Sequence, residues 1–368
     1  MVRRSFFFAG GGTGGHIYPA VAVAEQILRL DHEPKIHFFC SQRLLDYLIL
    51  PYVGFAASRL PARGFSIKPL KLAGFCISFI MSYRIAKQML AASENPVVVG
   101  IGGFVAAPVC FAAHRLKLPV ALINVDILPG RANRVIGRFA DEIFVQFEDT
   151  MECFRKSRAK VSVVGCPLRA SFAQPQPARA MEELGLDKDK KVLLITGASS
   201  GAENINRAVC GLLDKLSVFA DTWQIVHLTG MPNLERVRQA YDGAKIAHKV
   251  VGYYNEMANL LSAADLVIGR SGAVSVAEYA AAGVPSICMP YPYHKDRHQY
   301  FNAGKLVEAG AAVIVDDLPD EHERAEWLWE ELEELMKDDE KRSEMRTNCK
   351  AVAKVDAAAV IARKLLNA

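Results

Sequence analysis

The sequence lacks the patterns that mark secreted, zinc-binding and membrane-spanning proteins. Its eight cysteines are scattered over 368 residues, with no C-x-x-C pair and no cysteine and histidine at zinc spacing. We therefore expect reduced thiols in a cytosolic protein and no metal site. The stretch MVRRSFFFAGGG has too short an apolar run for a signal peptide. No run reaches the ~18 apolar residues of a transmembrane helix. The length of 368 residues is typical of a globular protein with about two domains.

Acidic residues are missing from one long segment. Residues 47–93 contain no Asp or Glu, and residues 1–170 carry 21 Lys and Arg against 11 Asp and Glu. The remainder carries 23 against 29. The acid-free segment contains the cations Arg59, Arg63, Lys68, Lys71, Arg84 and Lys87 and the apolar residues Leu70, Leu72, Phe75, Ile77, Phe79, Ile80 and Met81. This mixture of cations and apolar residues predicts that residues 59–90 bind the surface of an anionic membrane. The alternative is an ordinary buried helix with solvated lysines.

Short apolar runs alternate with amphipathic helical patterns along the chain. The alternation predicts an α/β fold with doubly wound parallel sheets. The predicted strands are 5–10, 36–40, 96–103, 119–124 and 142–147 in the first half, and runs beginning at 191, 223, 248, 265 and 285 in the second. Helices are predicted over 18–30, 82–93 and 131–138.

The domain organisation follows from the same alternation, because strand, glycine loop and helix open both halves. A stretch rich in Pro and Gly, followed by DKDKK, predicts a linker over 166–190. It would separate Rossmann-like domains over 1–165 and 191–354. A short amphipathic helix over 355–368 is expected to pack back on the first domain.

A glycine-rich loop, GGGTGGH (10–16), follows the first predicted strand. Backbone N–H groups of such a loop and of the next helix can hold phosphate at the carboxyl end of a parallel strand. A dinucleotide site is disfavoured, because Asp31, about 20 residues later, follows helical residues. His16 would stand in the first helical turn, where the dipole favours a neutral imidazole able to act as a general base; a capping or packing histidine is the alternative. In GIGGFVAAP, Gly102 and Gly103 would let the protein backbone approach a bound group closely. The alternative is a tight turn between strand and helix with no ligand contact.

The most specific stretch is IGRSGAVSVAEYAAAGVPSICMPYP (268–292). RSG (270–272) would form a turn after a strand, and Ser271 could cap the following helix. The N–H groups at the start of that helix suit a diphosphate. Glu278, a lone acid among apolar residues, could accept hydrogen bonds from both hydroxyls of a ribose.

A polar stretch, YHKDRHQYFNA (293–303), follows that unit. His298 and Gln299 could reach a sugar hydroxyl or a phosphate. A solvated surface loop is the alternative interpretation.

Five of these stretches resemble the motifs of one family. They are GGTGGHIYPAVAVAE, GIGGFVAAP, VVGCPLR, RSGAVSVAEYAAAGVP and HKDRHQYFNA. In this order, and over nearly the whole chain, they are similar to motifs of the MurG family, the UDP-N-acetylglucosamine:N-acetylmuramyl-(pentapeptide)-pyrophosphoryl-undecaprenol N-acetylglucosamine transferases. The resemblance implies a GT-B fold, in which two Rossmann-like domains face a cleft, and catalysis without a bound metal or other cofactor.

The resemblance also implies roles for individual residues. The donor UDP-GlcNAc would lie mainly on the second domain, with Glu278 on the ribose, and His16 would be the catalytic base or would orient the acceptor hydroxyl. The other implied donor contacts are Thr13, Gly14, Gly15, Asn124, Arg169, Ser199, Gly201, Tyr254, Arg270, Ser271, Gly272, Ala273, Val274, Ser275, Val276, Ala277, His298 and Gln299. The implied acceptor contacts are Gly102, Gly103, Asp126 and Asn133.

The implied reaction is transfer of GlcNAc, with inversion, to the C4 hydroxyl of MurNAc in undecaprenyl-linked lipid I. The product would be lipid II, for peptidoglycan synthesis, cell shape and division. Such a hexosyltransferase would be peripheral on the cytoplasmic face of the plasma membrane, with a cell-wall synthesis complex, not nucleic acid, as its macromolecular partner. The alternatives are a GT-B transferase that uses a UDP-sugar on a different acceptor, and a catalytically idle UDP-sugar-binding relative. A UDP-GlcNAc 2-epimerase shares the fold but needs acid and base carboxylates that the motifs do not supply.

The chain departs from the family pattern at three places. GASSGA stands where the family has GGSQGA, so Ala198 replaces a glycine and Ser200 a glutamine. INVDILPG stands where the family has His-Glu-Gln-Asn-x-x-x-G; Ile123 cannot form the hydrogen bonds of a histidine, although Asn124 and Asp126 could replace part of the contacts. PYPYHKDR has one extra residue before HKDR. The altered INVD loop is the reason to keep a different acceptor as an alternative.

Overall fold

The computed structural model describes residues 4–11, 14–31, 33–43, 46, 50, 53–198 and 201–367. The chain divides into two compact α/β units, Met1–Arg169 with Lys354–Ala368, and Ala170–Ala353. Within the described ranges, no helix is both long enough and apolar enough to cross a membrane.

The first unit is built on a parallel sheet of seven strands in the order β3-β2-β1-β4-β5-β6-β7. The strands are β1 (Ser5–Ala9), β2 (Lys35–Cys40), β3 (Ala56–Arg59), β4 (Pro96–Gly100), β5 (Val120–Asn124), β6 (Glu142–Val145) and β7 (Lys160–Val163). Every residue of β1, β4 and β5 is buried, as expected for parallel strands covered on both faces. The edge strands β3 and β7 are partly exposed and were not predicted, because they lack an apolar run.

Five helices whose bounds lie in the described part of the chain also belong to this unit. They are α1 (Gly14–Leu30), α2 (Pro69–Ala91), α3 (Gly103–Arg115), α4 (Arg131–Ile136) and α5 (Thr150–Cys153). The prediction for α2 began 13 residues too late, at 82 instead of Pro69. The amphipathic period fails over the first half of α2, because apolar side chains there lie on the exposed face. Proline is well tolerated at the first helical position.

The second unit has a parallel sheet of six strands in the order β10-β9-β8-β11-β12-β13. The strands are β8 (Lys191–Thr196), β9 (Trp223–Leu228), β10 (Ala247–Val251), β11 (Leu266–Gly269), β12 (Ser286–Cys288) and β13 (Ala312–Ile314). The helices are α6 (Pro177–Leu184), α7 (Glu203–Gly211), α8 (Leu213–Leu216), α9 (Leu234–Ala240), α10 (Met257–Ala263), α11 (Ala273–Ala282), α12 (His298–Glu308), α13 (Glu321–Lys337) and α14 (Asp339–Val352). The prediction of doubly wound parallel sheets is confirmed for both units.

The boundary between the units falls inside the range predicted as a linker, but most of that range is folded. A 3₁₀ turn spans Ala170–Phe172, and α6 packs against α10. The backbone N–H of Gln176 donates to Asn259 Oδ1 at 2.8 Å. Residues 170–190 are therefore part of the second unit, and Pro177 begins α6 instead of belonging to an extended connection.

The last helix, α15 (Ala357–Leu366), lies in the first unit against α1. Its buried face is made of small and aliphatic residues, including Ile361 and Leu365. The Arg4 guanidinium donates to the carbonyl of Leu366 at 2.6 Å and to that of Leu365 at 3.3 Å. A cation at the carbonyl end of a helix also interacts favourably with the negative end of the helix dipole.

Glycine is required in the loop that follows β8. Gly201 has a φ of +74°, and a Cβ at this position would stand 2.1 Å from the carbonyl oxygen of Thr229. Ala198, at the position where the family has glycine, has a φ of +58°. An L-residue held there carries a backbone strain of about 1–2 kcal/mol. The loop is therefore shaped by close backbone contact, and one of its positions is strained.

We expect Gly201→Ala to lower the free energy of unfolding by about 2–4 kcal/mol, because it combines an unfavourable φ with a clash against backbone. Gly211→Ala is the matched control, since Gly211 ends α7 with open space around its Cα; the exchange should raise stability by about 0.5–1 kcal/mol. The midpoint of thermal unfolding, followed by circular dichroism, measures both effects. Equal midpoints for Gly201→Ala and the parent protein would contradict the proposed clash.

Candidate functional site

Each sheet has one point where the strand order reverses, between β1 and β4 in the first unit and between β8 and β11 in the second. Open α/β sheets bind ligands beside this point, outside the carboxyl ends of the strands. The motif segments that follow these four strands begin at Gly10, Ile101, Gly197 and Arg270. The predicted contacts Thr13 and Ser199 lie outside the described residues.

In the first unit the structure brings His16 together with the glycine pair of the second loop. His16 is half-buried in the first turn of α1. A Cβ at Gly102 would stand 3.2 Å from His16 Nε2 and 3.1 Å from Asn133 Oδ1. A Cβ at Gly103 would stand 3.0 Å from the carbonyl oxygen of Gly11. Both positions have positive φ values of +127° and +73°, so glycine allows the imidazole to lie against the start of α3.

Two buried amides hold the loop after β5 beside this histidine. Asn133 Nδ2 donates to Asn124 Oδ1 at 2.8 Å, and Asn124 Nδ2 donates to the carbonyl oxygen of Asp126 at 2.6 Å. Asn124 is 1% exposed and Asn133 is 6% exposed. Asn124, predicted as a donor contact, thus uses its amide within the protein and positions Asn133 and Asp126.

Ile123, the most conspicuous departure from the family pattern, lies in the core. It is the fourth residue of β5, pairs with Phe144 of β6 and is 1% exposed. An apolar side chain is well suited to this buried strand position. The departure is therefore explained by packing and does not alter an exposed surface.

Arg169 lies beside α1 in the first unit. Its guanidinium carbon is 4.9 Å from the centre of the Tyr18 ring, a cation–π distance. Burial raises the pKa of Glu25, on the same helix, and the cations Arg29 and Arg169 partly oppose this increase. Arg169 is thus packed against the helix that carries His16.

A buried carboxylate that the sequence analysis missed supports the first glycine loop. Asp46 Oδ2 accepts hydrogen bonds from the backbone N–H of Ser41 at 2.8 Å and from its hydroxyl at 2.6 Å. The same oxygen lies so close to Gly11 that a Cβ there would overlap it. The sequence signal that could have identified Asp46 is a single acid among apolar residues, in the stretch RLLDYLIL.

In the second unit, two helices start at the reversal of strand order. The N-cap residues are Ala202 for α7 and Gly272 for α11, neither of which has a side chain that could cap its helix. The prediction that Ser271 caps α11 is wrong: its hydroxyl is buried with no hydrogen-bond partner among the described residues, and its carbonyl accepts from Asn302 Nδ2 at 3.4 Å. Two helix N-termini at this place form an anion-binding arrangement.

Arg270 anchors the turn before α11 instead of projecting from it. Its guanidinium donates to the carbonyl oxygen of Met289 at 2.9 Å and pairs with the buried carboxylate of Asp317 at 2.8 Å. The Tyr279 hydroxyl donates to the backbone carbonyl of Arg270 at 3.0 Å. The guanidinium, implied as a donor contact, is thus engaged inside the unit. Asp317 carried no motif and was missed.

Glu278 lies on the partly exposed side of α11. Ala273, Val276, Tyr279 and Ala280 are buried, whereas Val274, Ser275, Ala277 and Glu278 are partly exposed. Residues spaced three or four apart share one face of a helix, so Glu278 lies over Val274 and Ser275 of the first turn. A carboxylate and the helix N-terminus are therefore presented on one surface.

The remaining predicted donor contacts hold local structure around this surface. Gln299 Oε1 accepts from the backbone N–H of Tyr291 at 2.9 Å, and His298 Nδ1 lies 2.7 Å from Asp296 Oδ1. The Tyr254 hydroxyl donates to Glu183 Oε2 at 2.7 Å. Burial and this carboxylate raise the pKa of Tyr254. Among the described residues, no cluster of three His, Cys, Asp or Glu could hold a metal ion.

Comparisons with known proteins agree with this arrangement. Residues 6–145 match the glycosyltransferase family 28 N-terminal domain, and residues 192–361 match the family 28 C-terminal domain. Relatives named UDP-N-acetylglucosamine–N-acetylmuramyl-(pentapeptide) pyrophosphoryl-undecaprenol N-acetylglucosamine transferase occur in Caldanaerobacter subterraneus (33% identity over 96% of both chains) and Caldicellulosiruptor saccharolyticus (37% over 84% of both). A third, in Chlorobium limicola, is 34% identical over 98% of both chains.

Solved structures show the same fold. The crystal structure of Acinetobacter baumannii MurG matches all of both chains with a TM-score of 0.75 at 23% identity. A UDP-GlcNAc 2-epimerase from Neisseria meningitidis matches all of both chains with a TM-score of 0.69 at 15% identity. The prediction of a GT-B fold with two Rossmann-like domains is confirmed. The resemblance of the motifs is confirmed as well: the chain belongs to the family of UDP-N-acetylglucosamine–N-acetylmuramyl-(pentapeptide) pyrophosphoryl-undecaprenol N-acetylglucosamine transferases.

Proposed function

We propose that this protein transfers GlcNAc from UDP-GlcNAc to the C4 hydroxyl of MurNAc in undecaprenyl-linked lipid I and so forms lipid II. The full-length likeness to relatives named for this reaction carries the proposal. The motif loops at both reversals of strand order support it. Ile123, one of the residues by which the INVD loop departs from the family pattern, is buried, so packing accounts for that single departure.

The second unit binds the donor. The starts of α7 and α11 direct their N–H groups and positive dipole ends at the diphosphate, and they stabilise UDP as it leaves. Glu278, one helix turn beyond Val274, accepts hydrogen bonds from the ribose hydroxyls. The positive helix ends stabilise the negative charge that develops on UDP when the bond between the anomeric carbon and the phosphate oxygen breaks.

Glu278→Ala should weaken UDP binding by about 1.5–3 kcal/mol, the usual loss for a hydrogen bond to a charged group. The parent protein should also prefer UDP to 2′-deoxy-UDP, and the variant should lose most of this preference. Isothermal titration calorimetry measures the four affinities. Glu330→Ala, an exposed acid on α13, is the control and should bind like the parent. An unchanged preference in Glu278→Ala would rule out the ribose contact.

The first unit supplies the base and binds the acceptor. His16 takes the proton of the C4 hydroxyl while the oxygen attacks the anomeric carbon from the face opposite UDP, which gives inversion. Gly102 and Gly103 lie against the imidazole, and Asn133 and Asp126 lie in or beside the loop after β5. The electron pair of the broken bond leaves with UDP, so proton and charge are accounted for.

His16→Ala should lower kcat at least about 100-fold, a typical contribution of a general base, with little change in the affinity for UDP-GlcNAc. Steady-state transfer and donor binding measure the two effects separately. His322→Ala, an exposed histidine on α13, should leave both parameters unchanged. Full activity of His16→Ala would remove this side chain from the chemistry.

A surface of the first unit fits the cytoplasmic face of a membrane. On α2 the buried residues are Ser78, Ser82, Ala86 and Leu90, which are mostly small. The exposed side chains include Ile67 and Leu70, at 83% and 91% exposure. Further exposed members of this surface are Phe65, Ile77, Ile80 and Met81, with the cations Arg63, Lys68, Lys71, Arg84 and Lys87. Water is a poor solvent for such a face, whereas the interface of an anionic bilayer suits both groups. We infer that this surface binds peripherally to the membrane that carries the lipid-linked acceptor.

Leu70→Glu combined with Ile77→Glu should lower binding to vesicles with 30% anionic lipid at least about 10-fold, since it removes apolar contact and adds two negative charges. Val218→Glu is the control: Val218 is 73% exposed in the second unit, and its exchange should not affect binding. Co-sedimentation at low and at high salt measures the effect. Equal binding of the double variant and the parent would refute this membrane surface.

Transfer from radiolabelled UDP-GlcNAc to a short-chain lipid I analogue tests the function as a whole. Formation of the labelled disaccharide lipid supports the proposal. Binding of UDP-GlcNAc without transfer would indicate a different acceptor or an idle relative. Absence of donor binding would refute the proposal entirely.

A further inference from the structure

Asp317 is a buried carboxylate that contacts both segments at the reversal of strand order in the second unit. It pairs with Arg270 Nη2 at 2.8 Å, in the turn after β11. It accepts a hydrogen bond from Asn204 Nδ2 at 2.9 Å, in the first turn of α7. It also pairs with Arg324 Nε, on α13, at 2.9 Å. One side chain therefore connects the start of α7 to the turn that begins α11.

Each partner of Asp317 is itself held in place. Arg270 donates to the carbonyl oxygen of Met289, at the end of β12. Arg324 donates to the carbonyl oxygen of Leu318 at 2.9 Å. Asn204 is the second residue of α7 and follows the loop shaped by Gly201. The carboxylate thus fixes the two helix starts relative to a rigid frame made by β12 and α13.

The charges of this cluster are almost completely removed from water. The side-chain exposures are 11% for Arg270, 3% for Arg324 and 0% for Asp317. Buried ion pairs contribute little net stability compared with apolar packing, so their presence calls for another explanation. Two cations and one anion leave a net positive charge behind the two helix starts, which favours an anion in front of them.

We propose that Asp317 is a positioning residue that sets the distance between the N-termini of α7 and α11, so that one diphosphate can contact both. The inference rests on the donor site of the proposed function. Arg270 acts with Asp317 from inside the unit, and its guanidinium does not contact the nucleotide. Contacts to uridine, which lie further along α11, do not depend on this connection.

The test breaks the connection at its most accessible member, Asn204. Asn204→Ala removes the hydrogen bond, and Asn204→Asp replaces it with repulsion between two carboxylates. We expect the affinity for UDP to fall about 5- to 20-fold in the first variant and further in the second, with the affinity for uridine unchanged. Calorimetric titration with UDP and competition with uridine provide both values.

Arg207→Ala is the matched control. Arg207 joins the same two helices, α7 and α13, but on the exposed surface, through Glu203 and Glu321. Exposed ion pairs contribute little, so this variant should bind UDP like the parent. Asp317→Asn, which keeps the shape and removes the charge, should show the same selective loss of UDP affinity at a temperature where it is folded.

The outcomes separate this inference from the proposed function. If the parent protein does not bind UDP, the donor site itself is refuted. If the parent binds UDP and both Asn204 variants bind it equally well, only the positioning role is refuted. An equal loss of UDP and uridine affinity would also refute it, because general damage to the fold would then explain the effect.

Discussion

Close contact of backbone with backbone is the constraint on which both candidate sites depend. At the exits of β1 and β4, Gly103 lies against the carbonyl of Gly11, and at the exit of β8, Gly201 lies against the carbonyl of Thr229. A Cβ would overlap the carbonyl of Thr229 at Gly201 and crowd the carbonyl of Gly11 at Gly103, and both glycines have a positive φ. Because the loops are this tight, helices begin directly at the sheet edge, and their N-termini remain available to a ligand.

The two units hold the loops near their reversals of strand order with different sets of buried polar side chains. In the first unit, the Asp46 carboxylate supports the loop after β1, and the bond between Asn133 and Asn124 holds the loop after β5. In the second unit, the buried charges of Arg270 and Asp317 hold the turn before α11. A net positive interior favours the departure of a nucleoside diphosphate.

Much of the fold was predictable because buried parallel strands carry an unmistakable apolar pattern. The central strands and the motif loops of both sheets lie where the sequence placed them. The edge strands β3 and β7 escaped prediction, since a strand with one exposed edge needs no apolar run. The edge strand β13 was also not predicted, because it has only three residues. The start of α2 escaped it for the opposite reason: its apolar residues face outward, so the period of an ordinary surface helix is missing.

The site was predictable as a set of loops but not as a set of contacts. Glycines and a lone acid such as Glu278 are visible in a sequence. Whether a polar side chain points toward a ligand or back into the fold is decided by distant residues. Asn124 and Arg270 turned out to be engaged inside the protein because their partners, Asn133 and Asp317, follow 9 and 47 residues later. Nothing local to either residue indicates these partners.

The position of α15 has a consequence for synthesis of the chain. The second unit is one continuous segment, Ala170–Ala353, whereas the first unit needs Lys354–Ala368 as well. During translation the second unit can acquire its complete core while the first still lacks the helix that covers α1. The helix α1 is thus made well before the helix that packs on it, and its final packing waits until the second unit has been translated.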